Sequence, residues 1–140
     1  MIIGGLDIRQ RLSGVSLKLL AFERLLQDYP WWQNKVVVVQ CVLLPNTRQS
    51  DEANAVRELR FIVNRIQETF GPQVIDYGEM AGASMPIDRR LALWKASDVL
   101  LLTSIREGLN HWPMECIYAR KEPSPPGVTI ASEFSTVCSV

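Results

Sequence analysis

Short apolar runs recur along the chain and are separated by longer stretches in which apolar and polar positions mix. Near-continuous apolar runs, such as VVVVQCVLL directly after Lys35, are typical of strands that are covered on both faces of a sheet. Five runs predict five strands, at 2–3, 36–44, 74–77, 99–102 and 128–131.

The stretches between these runs predict four helices. The first has Ser16 as its expected N-cap, carries apolar residues at helical spacing and ends near residue 29, before Pro30. The second begins at about Asp51 with acidic residues in its first turn and ends at Gly71. Apolar positions at 87–94 mark the third helix, and residues 113–119 form the fourth.

The alternation of strands and helices predicts the topology. It implies right-handed crossovers and an α/β fold, a doubly wound, Rossmann-like, five-stranded parallel sheet in the order 3-2-1-4-5. The 140 residues suit one domain, 1–140, in which a closing C-terminal helix is expected to be missing. Since ligands bind beyond the carboxyl ends of such strands, one crevice is expected among the loops 4–14, 44–50, 78–86, 104–110 and 132–135.

Charge and cysteine content exclude several classes of protein. The 15 Lys and Arg residues balance 15 Asp and Glu residues, which argues against a nucleic-acid or anionic-membrane surface. We expect neither a membrane span nor a signal peptide, because the apolar runs are short and the first residues lack a basic segment. Three cysteines without paired spacing and a single histidine predict a cytoplasmic protein without a metal or cofactor.

The segment VLLLTSIREGLNHWPMECIYAR, at 99–120, carries the strongest chemical signal. A strand, a tight turn and a helix N-terminus follow one another there, and such a junction can hold an anion on its backbone amides. Gly108 permits close approach because it has no Cβ, and Glu115 can accept hydrogen bonds from sugar hydroxyls. We therefore predict that Gly108, Leu109, Asn110 and Glu115 bind a ligand, with an ordinary turn and a solvated acid as the alternatives.

Other suggestive residues have simpler interpretations. His111 and Cys116 do not align on one helix face and lack an orienting acid, so no catalytic residue is predicted. Tryptophans are expected in the core or at an interface, with Trp31 and Trp32 partly exposed. Helix arginines are expected on solvated faces, namely Arg57, Arg60, Arg65, Arg89 and Arg90.

In this order, the segments resemble the C-terminal, donor-binding half of the trehalose-6-phosphate synthases. GLDIRQRLSGVSLKLLAFERLL resembles the glycine loop and first helix of that family, and NKVVVVQCVLLPNTR its second strand and loop. VNRIQETFGPQVIDY, SDVLLLTSIREGLNHWPMEC and GVTIASEFS resemble its later segments. The first loop is most similar to that of the synthase-like branch that carries a phosphatase domain.

The resemblance implies half of a two-domain, B-type glycosyltransferase. That half binds UDP-glucose, whereas an N-terminal half holds most of the glucose 6-phosphate, and transfer proceeds with retention and without a metal. The implied partners are UDP or UDP-glucose, the N-terminal acceptor domain and, in one branch, a phosphatase domain. The chain is thus expected to be inactive alone. The alternative is a non-catalytic, synthase-like module that scaffolds, regulates or senses sugar phosphates.

The first loop departs from the family pattern at two positions. The family normally carries there an arginine and, five residues on, a lysine that contact the donor diphosphate, and the matching positions are Ile8 and Ser13. Losing one such contact commonly costs ~10²–10³ in rate. Because both cations that would attract the diphosphate are missing, we also expect UDP to bind no tighter than roughly millimolar. Arg9 and Arg11 are the nearby candidates to replace these cations. The glutamate that the resemblance implies for the ribose is present as Glu115.

Overall fold

Strands and helices alternate in the computed structural model, which describes residues 1–45, 49–105, 110–121 and 125–133. Within these residues the α-helices are α1 (Val15–Asp28), α2 (Gln49–Phe70), α3 (Ile87–Ala96) and α4 (Trp112–Ala119). The strands are β1 (Ile2–Ile8), β2 (Val37–Leu44), β3 (Ile75–Ala81), β4 (Val99–Leu102) and β5 (Val128–Ala131). Single 3₁₀ turns lie at Arg11–Ser13 and Pro30–Trp32.

The described strands form one sheet in the order β3-β2-β1-β4-β5, and every neighbouring pair is parallel. The predicted order and the α/β class are therefore confirmed. β1 is central: Gly4 is in register with Val39 of β2 on one side and with Leu100 of β4 on the other. Two of the described helices cover each face, since α1 packs with α2 and α3 packs with α4.

Each face of the sheet has its own apolar core. Under α1 and α2 the core includes Leu19, Phe22 and Ile66, and under α3 and α4 it includes Trp94 and Cys116. Residues of β2 alternate between the two cores, as the near-continuous apolar run predicts. The tryptophans divide as expected, because Trp94 is fully buried whereas Trp31 is 60% exposed.

The start of α1 differs from the prediction. Gly14, in the left-handed conformation with φ 74°, precedes the helix, and Ser16 lies inside the first turn. The prediction of Ser16 as N-cap is thus wrong, because the 3₁₀ turn before Gly14 already directs the chain into the helix. β1 and β3 extend to Ile8 and Ala81, so residues expected in the first and third loops belong to strands.

Candidate functional site

The loops that follow β1 and β4 meet at the carboxyl edge of the sheet. The crossovers after these adjacent strands lead in opposite directions along the strand order, which makes this point the topological switch of the fold. The Ile105 amide donates to the Leu12 carbonyl at 2.8 Å, and Thr103 Oγ1 donates to the Gly14 carbonyl at 3.2 Å. The two loops that we predict to border a crevice are therefore joined by hydrogen bonds.

Gly14 makes this close approach of the two loops possible. A Cβ there would overlap the carbonyl oxygen of Thr103, and the positive φ of 74° is itself strained for other residues. The glycine is therefore required by both its own backbone conformation and the neighbouring loop.

A buried polar cluster lies next to the β1 loop, between α1 and the sheet. Lys18 Nζ lies 2.7 Å from Asp7 Oδ2 and 3.1 Å from Gln40 Oε1, and Gln40 Nε2 donates to Asp7 Oδ2 at 2.9 Å. All three residues are at least nine-tenths buried. The cluster joins α1 to the end of β1 and to β2. A Cβ at Gly5 would overlap Gln40 Oε1, so a larger residue there would displace the Gln40 side chain from the cluster.

The sequence contains a signal for this cluster that the sequence analysis missed. Lys18 interrupts the apolar stripe of α1, three residues after Val15 and four before Phe22, both of which are buried. A charge at such a position needs a buried partner, because an unpaired charge inside the core is costly. Asp7, next to the apolar end of β1, is that partner.

A cavity of about 200 Å³ opens beside the β1 loop, between α1 and α2. Arg9, Ser13, Ser16 and Glu58 are among the residues that line it. It thus brings Arg9, one of the two candidate replacement cations, to Ser13. The side chain of Arg11, the other candidate, lies outside the described part.

Ile8 is placed differently from Ser13. Its side chain is partly buried against the core under α3 and α4. The Ser13 hydroxyl donates to the Gln10 carbonyl at 2.7 Å, inside the 3₁₀ turn. Of the two positions that lack a family cation, Ser13 is therefore the one that lines the cavity.

Of the four predicted ligand-binding residues, Asn110 and Glu115 lie in the described part of the chain. Gly108 and Leu109 lie outside the described residues. Asn110 is buried, and its Oδ1 accepts the Trp112 amide at 2.9 Å, so it occupies one of the free amides at the start of α4. Pro113 follows and has no N–H to donate. The first turn of α4 therefore offers an anion fewer amides than the sequence pattern implies.

Glu115 is held by two side chains of α3. Arg90 Nε donates to Glu115 Oε2 at 2.6 Å and Arg90 Nη2 to Oε1 at 2.8 Å, while Trp94 Nε1 donates to Oε2 at 2.9 Å. The hydrogen bond from Arg90 is the main reason that the pKa of Glu115 is lowered. The structure thus places the predicted ribose acceptor in a charge pair.

The prediction of solvated arginines is wrong for Arg90, whose side chain is only 18% exposed. Arg60 and Arg65 lie at the surface of α2 as expected, but each donates to both oxygens of a glutamate, Glu79 and Glu23 respectively. Spacing within one helix cannot reveal such pairs, since each glutamate belongs to another element.

Two classes of feature are absent from the described residues. No three of their His, Cys, Asp or Glu side chains come together as metal ligands could. Across the same part of the chain, no helix combines the length and apolar character that crossing a membrane requires.

The sequence profile of glycosyltransferase family 20 matches residues 1–140. The chain belongs to this family. Its similarity to an Arabidopsis thaliana relative, "Alpha,alpha-trehalose-phosphate synthase [UDP-forming] 6", is 35% identity over 117 residues, 84% of this chain and 14% of that protein. The 56 kDa subunit of the Saccharomyces cerevisiae synthase is 34% identical over 135 residues, 96% of this chain and 27% of the subunit.

Solved structures have the same fold. A UDP-forming trehalose-phosphate synthase from Burkholderia xenovorans superposes with a TM-score of 0.85 at 26% identity, over 99% of this chain and 31% of that one. The N-terminal domain of the Candida albicans trehalose-6-phosphate phosphatase superposes with a TM-score of 0.84 at 29% identity, over 99% of this chain and 29% of that one.

These comparisons confirm the resemblance that the sequence segments carry. The chain matches a fragment of UDP-forming trehalose-phosphate synthases, and it spans between 14% and 27% of the two relatives described above.

Proposed function

We propose that this family 20 chain is the nucleotide-sugar half of a glucosyltransferase of the trehalose-phosphate synthase type. It binds UDP or UDP-glucose weakly at the switch point, with Glu115 at the ribose and residues 104–110 at the diphosphate. The pair of hydrogen-bonded loops after β1 and β4 is the observation that carries the proposal, because it marks the crevice where doubly wound sheets bind nucleotides.

Weak binding follows from the groups that face the ligand. Asn110 and Pro113 reduce the number of amides at the start of α4, and Ser13 supplies a hydroxyl where the family has a cation. Arg9, beside Ser13 in the cavity, is the cation that partly compensates. The expected affinity for UDP is about −4 kcal/mol, in the millimolar range.

Transfer to glucose 6-phosphate would require an acceptor half in addition. Holding donor and acceptor together can lower the activation barrier by ~7–11 kcal/mol. This chain corresponds to less than a third of the length of either relative. We propose that an N-terminal acceptor domain, and in one branch a phosphatase domain, completes the protein. Free thiols at Cys41 and Cys116 support a cytoplasmic location.

The second candidate is a non-catalytic module that regulates or scaffolds sugar-phosphate metabolism. The position of Ile8 favours it, because a side chain packed against the core cannot be exchanged for a phosphate-binding cation without rearrangement. The likeness to the N-terminal domain of a phosphatase also supports it. Both candidates retain nucleotide binding at the same place, and they differ in whether the complete protein transfers glucose.

A titration with UDP and UDP-glucose, followed by amide chemical shifts, tests the proposal. Shifts are expected for Thr103, Ser104, Ile105 and Asn110. Glu115→Ala should abolish them, whereas Glu68→Ala, a change of an exposed acid on α2, should not.

A cation at the cavity provides the second test of the site. Ser13→Lys should tighten UDP binding several-fold, and Ser13→Met, of similar length but uncharged, should leave it unchanged. Shifts that map away from the β1 and β4 loops, or equal effects of lysine and methionine, would contradict the proposed site. Glucose transfer by the complete protein would decide against the non-catalytic candidate.

A further inference from the structure

The Glu115 carboxylate already has three hydrogen-bond donors among the described residues. Oε2 accepts from Arg90 Nε and from Trp94 Nε1, and Oε1 accepts from Arg90 Nη2. An ionised carboxylate has about four acceptor positions, two on each oxygen. Oε2 is therefore saturated, and Oε1 retains one position for a further donor.

Arg90 is fixed as firmly as the carboxylate that it contacts. Its third nitrogen, Nη1, donates to the Met85 carbonyl at 2.9 Å, in the loop between β3 and α3. The side chains of Arg90 and Glu115 are 18% and 27% exposed, and Trp94 is fully buried. A guanidinium whose Nε, Nη1 and Nη2 all donate hydrogen bonds gives up these bonds only at considerable cost.

We infer that Arg90 and Trp94 set the specificity of the nucleotide site by limiting Glu115 to one ribose hydroxyl. A ribose binds a carboxylate in bidentate fashion when its 2′- and 3′-hydroxyls each donate to a different oxygen. Bidentate binding needs an open acceptor position on both oxygens, and here only Oε1 has one. The inference rests on the proposed function, since it concerns the ligand of the same site.

The charge of Arg90 has a second effect at this site. A bare carboxylate close to a diphosphate repels it, and the paired guanidinium offsets that repulsion. Removing Arg90 therefore opens a hydrogen-bond position on each carboxylate oxygen and restores a repulsion, two effects of opposite sign on affinity. The informative quantity is therefore the ratio of affinities for UDP and its deoxy analogues, in which the common repulsion cancels.

The test compares UDP, 2′-deoxy-UDP and 3′-deoxy-UDP by chemical-shift titration of the whole chain. With Arg90 present, one analogue should bind roughly tenfold or more weakly than UDP, and the other within about twofold, because a hydrogen bond to a charged group is lost in only one of them. In Arg90→Met both analogues should bind more weakly than UDP. Arg89→Met, at the exposed neighbouring arginine of α3, should keep the original pattern.

The Arg90 Nε–H and Trp94 Nε1–H resonances provide an independent measurement. Both should stay in place at saturating UDP, because the pair persists in the complex. Equal loss of affinity for both analogues in the unsubstituted chain, or collapse of these resonances on UDP addition, overturns the inference while UDP binding itself stands. Absence of any UDP-induced shift overturns the proposed function and the inference together.

Discussion

Replacing Lys18 with methionine should destabilise the chain strongly. The change removes the 2.7 Å contact with Asp7 and the 3.1 Å contact with Gln40, and leaves a carboxylate that is 7% exposed with the Gln40 amide as its remaining partner within the cluster. Breaking a buried ion pair on one side costs ~3–5 kcal/mol. Urea unfolding, followed by tryptophan fluorescence, should show a midpoint lowered by roughly 2 M at an unchanged slope.

Two companion variants separate the buried charge from the general effect of losing a lysine. Lys95→Met, at an exposed position near the end of α3, should change the free energy of unfolding by no more than about 0.5 kcal/mol. Asp7→Asn combined with Lys18→Met should recover part of the loss, because no uncompensated charge remains in the core. A loss below about 1 kcal/mol for Lys18→Met, or a double variant less stable than the single one, would refute the reasoning.

Three further predictions concern the loops, the charge pair and transfer. Gly14→Ala should lower the free energy of unfolding in urea by more than Gly71→Ala does, since both glycines have positive φ but only Gly14 faces the Thr103 carbonyl. Equal losses of stability would contradict a required close approach of the two loops. Glu115→Gln should lower the free energy of unfolding in urea by about 1–2 kcal/mol at neutral pH. Because the pKa of Glu115 is lowered from 4.5, this cost should be present above pH 4.5 and vanish as the pH falls through the lower folded-state value, and a pH-independent cost would be evidence against the pair. The purified chain should form no trehalose phosphate from UDP-glucose and glucose 6-phosphate in a chromatographic assay, and any product above background would show that it carries more than the donor half.

The sequence was sufficient for the order of the strands but not for the contacts between distant loops. Alternating runs and the rule of right-handed crossovers fix which strands are neighbours, and the apolar run of β2 shows that both faces are covered. Ser16 was a reasonable N-cap by local chemistry. Gly14 takes the position before the helix because of a contact with Thr103, 89 residues away, and no local pattern reports such a contact.

The same limit applies to the candidate site. Glu115 was identified from its place in the segment after β4, but its partner Arg90 is 25 residues earlier on another helix. Both arginines at 89 and 90 look alike in the sequence, and only the packing of α3 against α4 distinguishes the paired one from the exposed one. The buried pairing of Lys18 could have been predicted from the sequence, because a charge inside an apolar stripe needs a buried partner.

The central position of β1 has a consequence for how the chain folds. β1 gains one neighbour from β2 soon after it is made, but the other, β4, comes almost a hundred residues later, as the contact between the Ile2 amide and Asp98 shows. At ribosomal rates of ~5–20 residues per second, β4 is made roughly 5–20 s after β1, and one edge of β1 stays unpaired during that interval. During that time an apolar strand edge is open to association with other chains. The arrival of β4 closes the sheet, so synthesis that stops before residue 99 should leave a nascent chain that requires chaperones to stay monomeric.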